Sequence, residues 1–272
     1  MKFILGAVSF VFLAVWMVFA VRQTNTQAGA AVQKPGLTRT PVLVELFTSE
    51  GCSSCPPAEA LLATLYKDQP VDGADVIALE EHVDYWDDLG WRDPFSSPEW
   101  TRRQREYAAA FRNGSVYTPQ MIVDGQAEFV GSRRRQSEKE VSDRARRSKT
   151  EVMVTPSGSG ADGTPLFSVR VGILTGATGD DLVEIWLAVA ENNLQSRVTG
   201  GENAGEYLRH TSVLRTLRKI GMAESHKDLS FSDQPLVQLD PGWKRENTRV
   251  IVFVQERKSR KILGAAEAEL SR

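Results

Sequence analysis

The chain carries only two cysteines, and they stand three apart: Cys52-Ser53-Ser54-Cys55, followed at once by Pro56-Pro57. An apolar, β-branched run, Val42 to Phe47, leads into the pair, and a helix-like run, Ala58 to Leu65, leads out of it. A strand that feeds a C-x-x-C at the opening of a helix is the local context of a redox-active dithiol. Unpaired N–H groups and the positive end of a helix dipole favour a thiolate at the first cysteine, and thiolate is the nucleophilic form. Two other uses of the pair compete with this one. A structural zinc takes four ligands, whereas this chain adds only three scattered histidines, His82, His210 and His226. A structural bridge across two residues closes so short a loop that chain entropy gives it little value.

The N-terminus places Lys2 before an uncharged apolar run, Phe3 to Val21. That pattern reads as an export signal, and it also approaches the roughly 20 residues that span a bilayer. Residues 1–22 are therefore expected to be a signal peptide or an N-terminal membrane anchor. Residues 23–40, polar and Gly/Pro-containing, read as a linker. The body of the chain is expected in the periplasm or outside the cell, the kind of compartment where disulfides persist. With 33 basic against 35 acidic residues, the balance argues against nucleic acid as a partner. The basic run from Arg133 to Lys149 is interrupted by Glu138, Glu140 and Asp143, as on a solvated helix face.

From Val42 the pattern is strand, C-x-x-C, helix, strand. Ala58, Leu61, Leu62 and Leu65 share one helix face, and Asp75 to Leu79 supplies the second strand of a βαβ unit. An aromatic, acidic segment follows, from His82 to Phe95. Ser97-Pro98-Glu99 reads as an N-cap with proline in the first turn, and Trp100, Tyr107, Ala108 and Phe111 form the buried stripe of that helix. Val116 to Val130 reads as a hairpin about Asp124-Gly125. Thr118-Pro119 at its head is a candidate cis bond. Gln136 to Ser148 gives a last charged helix.

This order of elements resembles the thioredoxin fold. More narrowly, Val44 to Ala58, His82-Val83-Asp84-Tyr85-Trp86 and Tyr117-Thr118-Pro119-Gln120-Met121 resemble a bacterial exported family catalogued as a domain of unknown function, number twelve twenty-three. The resemblance implies Cys52 as nucleophile and Cys55 as resolving thiol, with Pro119 facing the sulfurs and Thr118 offering backbone hydrogen bonds to an extended substrate. It also implies that an acid on the preceding strand helps move the proton of the buried thiol, which here points to Glu45. A solvent-facing Glu45 is the alternative. The resemblance implies no substrate.

His82 and Asp84 follow the second parallel strand, where functional groups of open α/β sheets collect. His82 is either a loop residue, a group that lowers a thiol pKa, or a metal ligand beside Cys52 and Cys55. Trp86 and Trp91 offer an aromatic rim for a peptide or simply pack. Acidic Glu50 and Glu59 flank the cysteines and oppose thiolate formation. After Thr150 the pattern turns to alternation: Phe167 to Val171, Val183 to Val189 and Val250 to Val254 read as strands, with Glu206–Leu217, Leu236–Leu239 and Lys261–Leu270 less regular. Several strands without helices predict a sandwich. Gly200, Gly201 and Gly205 suit a tight loop, and His210 reads as a structural strand residue.

The expected architecture is an α/β thioredoxin-like domain (41–149) followed by an all-β, sandwich-like C-terminal domain (150–272). The expected function is thiol–disulfide oxidoreduction on protein thiols or disulfides in the periplasm, without an organic cofactor. Two rivals stand beside it: copper or zinc handling through Cys52, Cys55 and His82, and a non-catalytic interaction module.

Overall fold

A computed structural model describes residues 39–112, 114–179, 181–224 and 231–270. The expected signal or anchor segment, most of the linker, and His226 lie outside them. Among the described residues no helix is long and apolar enough to cross a membrane.

The first half largely follows the sequence expectations. Strand β1 (Thr40–Thr48), helix α1 (Pro56–Asp68) and strand β2 (Ala74–His82) form a parallel βαβ unit in which Thr48 stands beside His82. Helix α2 (Pro98–Phe111) starts at Ser97, whose side chain accepts a hydrogen bond from Glu99 N. The hairpin of β3 (Gln120–Val123) and β4 (Ala127–Val130) turns at Asp124-Gly125, both residues with positive φ. That is the backbone for which Asp-Gly is suited. Helix α3 (Arg134–Ala145) closes this half.

The second half corrects the expected fold class. It consists of β5 (Val152–Ser159), β6 (Pro165–Val171), β7 (Leu182–Glu191), β8 (Leu194–Arg197), β9 (Tyr207–His210), β10 (Val213–Glu224), β11 (Phe231–Asp233), β12 (Thr248–Glu256) and β13 (Ile262–Glu269). These strands do not make a separate sandwich after a self-contained, helix-flanked thioredoxin domain. Four of them continue the first half's sheet, giving one mixed eight-stranded sheet in the order β13-β12-β7-β10-β2-β1-β3-β4. The join lies where β10 meets β2 in parallel at Val213 and Glu80. Glu80 N donates to Ser212 O at 2.9 Å, and Ser212 Oγ donates to Ala78 O at 2.6 Å. An otherwise open edge of β2 is thereby paired, which removes a row of unsatisfied backbone groups.

Packing tells the same story. Alternation along β1 and β2 sends Val42, Val44, Leu46, Val76 and Ala78 to one face, against Leu61, Leu62 and Leu65 of α1 and Val141 of α3. Leu43, Ile77 and Leu79 point to the other face, where one apolar core holds them with Trp100 of α2, Ala188 and Ala190 of β7, Leu214 of β10, and Ile251 and Phe253 of β12. Burying each large aliphatic or aromatic side chain is worth about 1.5–3 kcal/mol, so this core binds the two halves strongly. A small sheet, β11-β6-β5, covers the free face of β7 and β12 through Val154, Phe167 and Val169. The hairpin β8-β9 stands apart and reaches towards the cysteines.

Candidate functional site

Cys52 and Cys55 are joined in a disulfide, with Cα atoms 5.4 Å apart, and neither residue is exposed to solvent. Ser53 and Ser54 between them are exposed, and Ser54 Oγ lies 3.4 Å from Cys52 Sγ. The bridge sits at the carboxyl end of β1, where the chain turns into α1. The first turn of α1 offers the sulfurs less than a typical helix start. Pro56 and Pro57 have no N–H, and the next two donors, Ala58 N and Glu59 N, both bond Cys55 O at 2.8 and 3.2 Å. What remains is the helix dipole rather than free N–H groups.

Three further segments converge here. Trp86, in a short 3-10 turn after β2, packs its Cβ against Gly51, where an added Cβ would sit 3.3 Å away. Its Nε1 donates to Thr118 Oγ1 at 2.9 Å. Thr118-Pro119 is cis, and Pro119 shares with Ala58 and Leu46 the space in front of Gly131. Trp86, Thr118, Pro119 and the cysteine loop are thus brought together.

The last segment, residues 198–206, comes from the second half and straps the cysteine loop. Asn203 Nδ2 donates to Glu50 O at 2.8 Å and to Cys52 O at 3.0 Å, fully buried. The Glu202 carboxylate accepts from Ser53 N at 3.0 Å and from Ser53 Oγ at 2.7 Å. Gly200 is needed for contact rather than for a turn: a Cβ there would stand 2.2 Å from Gly90 O.

Beneath the strap lies a buried ring of two imidazoles and four carboxylates. His82 Nδ1 bonds Asp93 Oδ2 at 2.6 Å and its Nε2 bonds Glu80 Oε1 at 3.0 Å. His210 Nδ1 bonds the same Glu80 Oε1 at 2.7 Å, and its Nε2 bonds Glu50 Oε1 at 3.0 Å. Glu59 Oε2 stands 3.8 Å from His210 Nδ1, and its Oε1 accepts from Thr48 Oγ1 at 2.6 Å. Asp93 Oδ2 closes the ring by accepting Glu50 N at 2.8 Å. Burial opposes charge on His82, but Asp93 and Glu80 outweigh it and hold the ring well above the ordinary imidazole range. Burial likewise opposes charge on His210, and Glu80 with Glu50 raises it to about 9. Burial, reinforced by the Glu80 charge, pushes Glu59 up to about 7.

Glu45 goes elsewhere. It is buried, as one of its two readings required, but it lies on the α2 face of the sheet. Its Oε1 accepts from Arg103 Nε at 2.7 Å and from Arg103 Nη2 at 2.5 Å, while Oε2 accepts from Tyr107 OH. None of its contacts reaches a cysteine. The alternative metal set of Cys52, Cys55 and His82 is not assembled either: the sulfurs are bonded to each other, and both nitrogens of His82 are held by carboxylates. Trp91 gives its Nε1 to Glu50 Oε2 at 2.8 Å.

Glu80 and Asp93 are not singled out by the sequence; Glu202 and Asn203 fall in the segment Val198 to His210, which resembles the family's Gly-Glu-Asn, Gly, Leu and His pattern without a legible chemistry, and His210 reads there as structural. One signal was present. Val76 and Ala78 face the core, so the same alternation carries Glu80 and His82 inward. Polar residues at buried positions of a strand demand partners.

Two solved structures share this fold. Protein AGR_C_4864 from Agrobacterium tumefaciens is 23% identical, with a TM-score of 0.64 over 86% of this chain and 96% of its own. HBP35 of Porphyromonas gingivalis is 18% identical, with a TM-score of 0.59 over 85% of this chain and 76% of its own. No curated protein matches the chain. The family model described as "Protein of unknown function (DUF1223)" matches residues 43–255, most of the chain, which therefore belongs to that family.

Proposed function

We propose that the chain is a thiol–disulfide oxidoreductase of an exported compartment, acting on protein thiols or disulfides through Cys52 and Cys55. The observation that carries this reading is the bridge itself. The chain's two cysteines pair at the head of α1, beside exposed Ser53 and Ser54 and within the setting made by Trp86, Thr118 and Pro119. Export is supported by the apolar run Phe3 to Val21 behind Lys2, which also serves as the anchor if it is retained.

In the oxidising direction a substrate thiolate attacks Cys52 Sγ. The Cys52–Cys55 bond breaks, and Cys55 leaves as a thiolate that takes up a proton. A second substrate thiol, deprotonated, then attacks the substrate sulfur of the mixed disulfide and releases Cys52. Two electrons have passed to the pair, and the substrate leaves as a disulfide. Run backwards, Cys52 thiolate attacks a substrate disulfide and Cys55 resolves it. Thr118 and Trp86 flank the path of an extended substrate, and Pro119 shapes it. Both cysteines are buried, so a protein substrate reaches Cys52 Sγ only after the segments around the cysteine loop shift.

The test is trapping. Cys55→Ser should accumulate mixed disulfides with partner proteins in the native compartment, whereas Cys52→Ser should not. If Cys55→Ser traps nothing, the interaction-module reading takes its place.

A further inference from the structure

Glu80, His82 and His210 point three ligand atoms at one another, all within 4.8 Å. Each imidazole presents one nitrogen inward, towards Glu80 Oε1, and gives the other to a carboxylate: His82 to Asp93, His210 to Glu50. An imidazole that turns one nitrogen to a shared centre and has the outer nitrogen held by a carboxylate is the usual arrangement of metal-binding histidines, because the outer bond fixes tautomer and ring orientation. Glu59 offers a fourth donor, Oε2, 3.8 Å from His210 Nδ1, while Thr48 holds its other oxygen. The ion pairs that Glu50, Glu59, Glu80 and Asp93 make here are with His82 and His210.

We propose that Glu59, Glu80, His82 and His210 form a four-coordinate N2O2 site for a divalent first-row transition-metal ion. Zinc fits the donor set and the closed, tetrahedral form of a structural site. A tetrahedral ion about 2.0–2.2 Å from each donor sets the donors about 3.3–3.6 Å apart, so Glu80 Oε1 moves off the two imidazole nitrogens, now 2.7 and 3.0 Å away, and Glu59 Oε2, now 3.8 Å from His210 Nδ1, closes in. The ion takes the place of the proton on each inner nitrogen. A cleft of about 430 Å³ between α1 and the β8-β9 hairpin has Glu59 and His210 in its wall and gives the ion a way in. The bound ion ties α1 and β2 of the first half to β9 of the second. The site uses neither cysteine, so it stands or falls separately from the redox reading.

The test uses the full chain, stripped with chelator and titrated with zinc by calorimetry and with cobalt(II) by absorption. One equivalent should bind, the cobalt complex should show visible bands of nitrogen and oxygen ligation without a thiolate charge-transfer band, and zinc should raise the melting temperature. Cys52→Ser/Cys55→Ser should bind equally well. Asp93→Asn should weaken binding about 10–100-fold while leaving the four ligands in place, and His210→Gln should weaken it further. Cobalt spectra on the unmutated chain keep the test decisive even if His210→Gln fails to fold. No binding by the native chain, a thiolate band, or unchanged binding in a folded His210→Gln would overturn the proposal.

Discussion

Two buried ionic clusters face each other across the sheet, and they are built on opposite plans. On the α2 face, Glu45 and Glu81 surround Arg103, with Tyr107 and Gln255 completing the hydrogen bonds. On the cysteine face, Glu50, Glu59, Glu80 and Asp93 surround two histidines. Arginine is always charged and holds its partners permanently. Histidine can exchange its proton or accept a metal. Both clusters join the two halves, Gln255 supplying the second half on one face and His210 on the other. The comparison teaches that the α2 face is a fixed fastening, whereas the cysteine face is the chemically variable side.

The largest effect should come from breaking the fixed fastening. Arg103→Ala strands Glu45 and Glu81 in the core and should cost about 3–5 kcal/mol in urea unfolding, with the potential of the disulfide unchanged in whatever fraction stays folded. A shifted potential would show that the two faces are coupled. Next comes the strap. Asn203→Ala leaves Glu50 O and Cys52 O without their donor, so it should cost about 1–3 kcal/mol and speed reduction of the bridge by small thiols. Faster reduction is the sharper readout, since a purely structural Asn203 would change stability alone.

Glu81 gives a smaller effect of opposite sign. Burial and the neighbouring Glu45, opposed by Arg103, raise its pKa well above the ordinary glutamate value of 4.5. The folded chain therefore holds this proton at a pH where the unfolded chain has lost it. Its favourable contribution is full below pH 4.5 and is lost as pH rises through the folded value. Glu81→Gln never ionises, so it should match the native chain near pH 4 and exceed it by about 1 kcal/mol at neutral pH. Equal stability at both pH values would mean that Glu81 is satisfied as a carboxylate. Smallest is Glu202→Ala: its carboxylate is exposed, so melting should not move, while the bridge is reduced about twofold faster as the strap loses one contact.

Local chemistry made much of the first half legible. Ser97 caps α2, Asp124-Gly125 turns the β3-β4 hairpin, and Thr118-Pro119 is cis, each from a signal contained within a few residues. What escaped depends on partners far along the chain. Val213 pairs with Glu80 across more than a hundred residues, and nothing near either position announces it. The two-domain reading failed for that reason, since β7, β10 and β12 have the alternation of a sandwich whether they form one or extend a neighbour's sheet. Gly200 looked like a turn residue, but its requirement is the approach of Gly90 O. His210 looked structural because Glu50 and Glu80 come to it from the other half.

The central claim is that Cys52 and Cys55 form a working redox couple rather than a staple. Equilibrating the purified chain in thiol–disulfide buffers of stepped potential, and trapping free thiols at each step, tests it directly. One reversible two-electron transition is expected, with a midpoint between about −120 and −270 mV, the range of exchange-active pairs. A bridge that stays closed below about −300 mV, as structural disulfides do, would contradict it.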